Sequence, residues 1–248
     1  NDFINLIKKH KIKFHEKKLG QLFCDESAQQ IIDMLTLECS KVNVRLRNNI
    51  SVKSVNKTDI FYIKTKDITY QSKSLVIATG GLSIPKIGAS KFGYDIARQF
   101  GLNIIDTSPA LVPLTFNQDI IKNCKELSGL SVEANVSYEK NLFQEGMLFT
   151  HRGLSGPSIL QISSYWKLGK NIKINFFPNK NIFDYFREKK EKKPKQEINS
   201  IISELLPRRL AIIICDDLKI SGRIADISNK LLIKVSESIN NWIVKPTG

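Results

Sequence analysis

The 248-residue chain carries 38 Lys and Arg against 24 Asp and Glu, a net charge of +14, with 42% apolar residues. That supply of apolar side chains suffices for a core, and no apolar run nears the ~18 residues that cross a bilayer, so a membrane-embedded bundle is excluded. Cys24, Cys39, Cys124 and Cys215 are scattered, with no C-x-x-C pair and no histidines at ligand spacing; this excludes a zinc site, argues against a disulfide framework, and suits a cytoplasmic location.

The first residue, Asn1, is not methionine and leads directly into a helical pattern, which gives the expectation of a fragment. Phe3, Leu6 and Ile7 share a helix face, with His10 next on it; His10 and His15 sit among lysines and are expected at the surface. Ser27-x-x-Gln30 matches a capping box, and Ala28, Ile31, Ile32, Leu35 and Cys39 follow as one helical stripe. Val42, Val44 and Leu46 alternate as a strand would; Ile50, Val52 and Val55 suggest another. Phe61, Ile63, Ile68 and Tyr70 flank Lys66-Asp67 as a hairpin.

Leu75-Val76-Ile77-Ala78 is a short apolar run ended by Thr79-Gly80-Gly81. It reads as a strand buried on both faces of a parallel sheet, with glycines that let a ligand approach the backbone. Phe92, Ile96 and Phe100 then fall on one helix face, and Gly101 stands where a glycine stops a helix. Strand, glycine turn and helix in an open α/β sheet often place the turn at a ligand crevice. No G-x-G-x-x-G occurs in the sequence, so the usual pyrophosphate cradle is missing from these residues.

After Pro113 the pattern changes. Val132, Ala134, Val136 and Tyr138 alternate, as do Ile172, Ile174 and Phe176, with Leu142-Phe143 and Met147-Leu148-Phe149 between. A small antiparallel sheet or barrel is predicted. Ser155-Gly156-Pro157 reads as a helix start with serine as cap, continued by Ile159, Ile162 and Trp166. From Asn179 the pattern is helical: Ile182, Phe183 and Phe186 run into the charge-dense residues 187–195 (REKKEKKPK), then Ile198, Ile201, Ile202 and Leu205 up to Pro207, then helices over 208–218 and 227–242.

Residues 75–81, with Pro85, Gly88, Gly93-Tyr94 and residues 109–114 (PALVPL), join Gly20-Gln21-Leu22-Phe23 upstream and residues 148–157 (LFTHRGLSGP) downstream. Together they resemble the BaiN/RdsA-type family of bacterial NAD(P)/FAD-dependent oxidoreductases, over nearly the whole chain and closest to its enterobacterial branch. The resemblance implies an α/β fold: a partial two-dinucleotide-binding, Rossmann-like FAD domain over 1–109, an inserted antiparallel β-barrel-like subdomain over 110–178, a helical part over 179–242, and a return toward the FAD domain over 243–248. It implies a parent protein with further N- and C-terminal parts, FAD as cofactor with NAD(P)H as reductant, and reduction of a uridine in large-subunit ribosomal RNA to dihydrouridine. Other branches imply a small-molecule enone reductase or amine oxidase, and the basic charge alone allows a non-catalytic RNA-binding module.

The resemblance places Ala78, Thr79, Gly80 and Gly81 along the flavin, with Gly88, Ser90 and Gly93 shaping the adjoining loop and Val52 offering its backbone to the adenine end. A tight strand exit and a plain sheet valine are the competing structural readings. His151 is a candidate proton donor, and beside Arg152 it makes a pair suited to a phosphate or an enolate-like oxygen. A turn histidine satisfied by carbonyls competes with that reading. Cys24 is a second candidate acid, because saturating the uracil C5=C6 bond takes a hydride on one carbon and a proton on the other. Lys189, Lys190, Lys192 and Lys193 are candidate contacts to RNA phosphates, against the ordinary reading of a solvated helix end. Tyr94, Tyr165 and Trp166 form no RNA-binding signature.

Overall fold

The computed structural model describes residues 2–18, 20–178 and 180–248, the side chain of Pro85 excepted. Asn1, and the expected helical boundary at Asn179, lie outside the described residues. The chain divides between Ile105 and Asp106 into two units.

In the first unit, α1 (Asp2–Lys9) leads into a hairpin of β1 (Phe14–Glu16) and β2 (Leu22–Cys24), then α2 (Gln29–Lys41). The expected capping box does not form: Ser27 Oγ accepts from Gln29 N at 3.1 Å, Gln30 N donates to Ser27 O at 3.2 Å, and Gln30 Nε2 donates to Glu26 at 3.1 Å. A three-stranded antiparallel meander follows, β3 (Ser54–Lys57), β4 (Phe61–Lys64) and β5 (Thr69–Ser72). The predicted hairpin at Lys66-Asp67 is present, and Thr65 Oγ1 clamps its turn by donating to Ile68 O and accepting Ile68 N. The helix α3 (Phe92–Gln99) ends in a Schellman turn: Gly101 N reaches Arg98 O, Leu102 N reaches Ala97 O, and Gly101 supplies the left-handed φ of 75°.

Three sequence expectations for this unit are corrected. Residues 42–46 form no strand, and only Ser54–Lys57 of the 50–57 stretch pairs. The apolar run Leu75-Val76-Ile77-Ala78 is not a buried parallel strand; Val76 is 83% exposed, and every ladder among the described residues is antiparallel. A parallel strand exists only between hydrogen-bonding neighbours, and no described strand lies beside this one. His10 is not a surface residue: its side chain is mostly buried and meets Glu38 Oε1 at 2.8 Å, joining α1 to α2. The Lys41 ammonium and this imidazole hold the Glu38 carboxyl down at about 2.

The buried apolar side chains of this unit are Met34, Val55 and Ile96, while Ile32, Leu35, Leu37, Val42 and Leu46 stay exposed. The predicted stripe on α2 is therefore largely uncovered.

The second unit is built differently. Helix α4 (Gln118–Glu126), capped by Asn117, precedes β6 (Ser131–Tyr138), β7 (Asn141–Thr150) and β8 (Gly153–Ser155); then come α5 (Pro157–Ser163), β9 (Ile172–Asn175), α6 (Ile182–Lys192), α7 (Ile198–Ser203), α8 (Arg208–Leu218), α9 (Asn229–Asn240) and β10 (Trp242–Val244). The sheet order is β10-β9-β6-β7-β8, antiparallel throughout. The alternation read from sequence is real: Val132, Ala134, Val136 and Tyr138 are all buried, as are Ile172, Ile174 and Phe176. Two expectations shift. Gly156 at φ 90°, not Ser155, occupies the cap position before Pro157, and Trp242 begins a strand and does not end a helix.

The sheet curls toward closure. Leu114 exchanges both backbone hydrogen bonds with Leu154 of β8 at 2.9 Å; Thr115 N then donates to Gly248 O at 2.7 Å, and Thr115 O accepts from Thr247 N at 2.8 Å. Residues 242–248 thus bond to β9 at one edge and, through Thr115, to the β8 edge, interrupted only at Lys245-Pro246. A single apolar cluster runs from this barrel-like sheet into the helices, with Phe149, Phe186, Ile201 and Val235 nearly sealed from solvent. With so much apolar area buried inside it, residues 106–248 expressed alone are expected to melt cooperatively and residues 1–105 alone are not. Thermal circular dichroism of the two pieces checks this; a non-cooperative melt of 106–248 would contradict it.

Candidate active site

Glycine geometry organises the loop before α3. A Cβ at Gly93 would lie 2.8 Å from Thr79 Oγ1 and 3.4 Å from Ile77 Cγ2, and one at Gly81 would lie 3.0 Å from Tyr94 Oη. The 77–81 turn therefore rests directly on the first turn of α3, bringing Thr79, Gly80, Gly81 and Gly93 together, with Ala78 exposed beside them. Gly80, at φ 71°, and Gly88, at φ 95°, face open space with no protein atom within 4 Å of a Cβ position. Ser90 Oγ accepts from Phe92 N at 3.4 Å, steadying the start of the helix. Val52 is half-buried just before β3, and Gln99 Nε2 donates to Val55 O at 2.6 Å, tying β3 to α3.

This arrangement gives two kinds of glycine. Gly81 and Gly93 close the turn onto the helix, whereas Gly80 and Gly88 leave backbone open to a flat ligand. The G-x-G-x-x-G pyrophosphate cradle is not among these residues.

Cys24 ends β2 opposite Phe14 and is half-buried. The other thiols differ: Cys39 is half-buried on α2, while burial pushes Cys124 and Cys215 up to about 11, where neither forms a thiolate at neutral pH. His15 Nδ1 meets Asp25 Oδ1 at 2.8 Å on the exposed side of the hairpin.

In the second unit, His151 and Arg152 form the two-residue turn between β7 and β8, both exposed. Thr150 Oγ1 donates to Gly153 O at 3.1 Å and accepts Arg152 N at 3.3 Å, fixing the turn from below. Among the described residues neither the imidazole nor the guanidinium has a partner. Such a turn offers a positive, hydrogen-bonding tip.

The lysines of α6 are differently placed. Lys189 pairs with Glu204, on the oxygen that also receives Tyr185 Oη at 2.7 Å, and Gln196 Nε2 donates to the other oxygen at 2.8 Å. Lys190 Nζ donates to Ile227 O at 2.6 Å, and Lys192 meets Glu188 at 2.7 Å. Lys193 has no side-chain partner among the described residues. The run therefore clamps α6 to its neighbours through Lys189 and Lys190.

The Lys189 ammonium, with the Gln196 and Tyr185 hydrogen bonds, lowers the Glu204 carboxyl from 4.5 to about 2. A carboxylate whose folded value lies below its unfolded one stabilises above the ordinary value, and the contribution is lost as pH falls from about 4.5 toward 2. Glu204→Gln is expected to be less stable than wild type at pH 7, with the gap closing across that window. Urea melts at several pH values test this; a gap independent of pH would contradict it.

Sequence reasoning missed a small cavity of about 80 Å³ between the barrel and helices α4 and α8, lined by Phe149, Phe176 and Trp242. At its rim Asn123 Nδ2 donates to Asp217 Oδ2 at 2.6 Å, and burial raises the Asp217 carboxyl. No local motif marks it, because its walls come from segments distant in sequence.

The chain is 43% identical over 254 positions to the ribosomal RNA dihydrouridine synthase of Escherichia coli (strain K12), covering all of this chain and 62% of that protein. It is 37% identical over 255 positions to the ribosomal RNA dihydrouridine synthase of Haemophilus influenzae (strain ATCC 51907 / DSM 11121 / KW20 / Rd), covering all of this chain and 63% of that protein. It is 20% identical over 200 positions to the 3-dehydro-bile acid delta(4,6)-reductase of Clostridium scindens, covering 75% of this chain and 48% of that one. The chain thus spans under two thirds of the length of these relatives. Residues 108–248, more than half of the chain and nearly all of the second unit, match the model of the HI0933-like protein barrel and H2TH domain. The curled antiparallel sheet with its helices corresponds to that domain, and the chain belongs to the HI0933-like family.

Proposed function

We propose that these residues are part of an enzyme that reduces a uridine of ribosomal RNA to dihydrouridine. The observation that carries this reading is the likeness, along the whole chain, to two ribosomal RNA dihydrouridine synthases. The open backbones of Gly80 and Gly88 and the exposed turn at Ala78-Thr79 would flank FAD in a Rossmann-like domain completed by sequence outside these residues, with Val52 toward its adenine end. FAD held there, with NAD(P)H as its reductant, would supply hydride chemistry for one carbon of the uracil double bond.

The chain's own residues manage the rest. Cys24 holds the proton for the other carbon. In the second unit, His151 and Arg152, exposed on their tight turn, and Lys193 at the end of α6 are the groups left to meet phosphates of the RNA. Gly81, Gly93 and Ser90 hold the turn against α3. A cytoplasmic location follows from the RNA substrate; among the described residues no helix is long and apolar enough to cross a membrane.

The test is dihydrouridine formation on unmodified ribosomal RNA by the flavin-loaded full-length protein, read by mass spectrometry. Product supports the reading. Flavin-loaded protein that leaves RNA unchanged with several reductants would move the assignment to a small molecule, the substrate class of the bile acid reductase relative.

A further inference from the structure

The β1–β2 hairpin carries an unusual face. Its ladder pairs Phe14 with Cys24, His15 with Phe23 and Glu16 with Leu22, and it extends at both ends through Asp25 N to Lys13 O at 3.1 Å and Lys17 N to Gln21 O at 2.9 Å. Because side chains alternate along a strand, Lys13, His15, Lys17, Phe23 and Asp25 share one side of the ribbon. On that side the Phe23 ring is 45% exposed. The His15 ring lies parallel to it, centroids 6.3 Å apart at 23°, and Asp25 holds the imidazole by its Nδ1 at 2.8 Å. Lys17 Nζ stands 5.3 Å from the Phe23 ring centre.

An exposed phenylalanine flanked by an oriented imidazole and an ammonium, with a second lysine along the strand, has the elements of a stacking platform. Any nucleobase can lie on such a ring, and flanking cations meet the phosphates on either side. An apolar protein partner would have to desolvate these lysines, whereas a polyanion gains from them. The chain's +14 charge points to the same class of partner.

We infer that this face binds single-stranded RNA, with a base stacked on Phe23 and backbone phosphates against Lys13 and Lys17. The inference deepens the proposed function, on which it rests only for the choice of RNA over DNA. Cys24 lies on the opposite side of the ribbon, so this face is separate from the thiol proposed as the acid.

The experiment measures binding of a short fluorescent oligouridylate to the full-length protein by anisotropy, across a salt series. Phe23→Ala is expected to weaken binding about tenfold and Phe23→Tyr to leave it near wild type. Lys13→Gln and Lys17→Gln should each lower the slope of log affinity against log salt by about one. The tyrosine variant keeps the test meaningful if the alanine variant misfolds. Binding indifferent to Phe23→Ala and to both lysine changes overturns the inference, as does equal binding of a duplex with the same indifference. Dihydrouridine formation is scored separately. RNA held by this face without product defeats the activity and leaves the interface standing; product with unchanged binding in all variants does the reverse.

Discussion

Cys24→Ala is expected to lower the rate of dihydrouridine formation by the full-length protein about a hundredfold or more, with little change in KM. A positioned general acid contributes roughly 10²–10⁴ in rate, and removing it leaves binding contacts in place. The thiol sits half-buried at the end of β2, fixed by the hairpin ladder opposite Phe14, in the same unit as the glycine turn proposed to flank the flavin. Cys39→Ala is the matched control, since that thiol is also half-buried but lies on α2. A Cys24→Ala enzyme with undiminished kcat, alongside a His151→Asn enzyme that loses it, would transfer the proton to His151.

Gly153→Ala is expected to cost about 4 kcal/mol or to prevent the second unit from folding. Gly153 holds φ 140°, and a Cβ there would lie 2.1 Å from Leu114 O and 3.1 Å from Thr115 Cα. Those are backbone atoms of the segment that joins β8 to residues 247–248, so no side chain can swing aside. Gly169→Ala is the contrast: φ is 83° with nothing within 4 Å, leaving only the left-handed backbone penalty of about 1–2 kcal/mol. Urea unfolding of the two variants separates the cases, and near-equal losses would mean that the 114–154 bridge is dispensable.

The contrast between the units explains what could be read from sequence. In the second unit, alternation at Val132–Tyr138 and Ile172–Phe176 and helical spacing at Ile198–Leu205 match burial, because each element finds its cover within the unit. In the first, Leu75–Ala78 and Val42–Leu46 carry strand-like signals, but no described neighbour supplies the ladder. Local signals survived there: the Thr65–Ile68 turn and the Gly101 stop depend on adjacent residues. At the candidate site, Gly80, Gly81 and Gly93 were legible as a group, but which glycines pack and which stay open was not, since that depends on where Thr79 and Tyr94 come to rest. The Lys189–Glu204 clamp was hidden because its partners lie on different helices. The Phe23 face could have been found from the alternation of Lys13, His15 and Lys17 opposite an aromatic.

Thr115 and residues 247–248 are hydrogen-bonded to each other, so the polypeptide enters and leaves the barrel at one doorway. A module whose two threads emerge side by side can be exchanged for another of different size without stretching whatever host carries it.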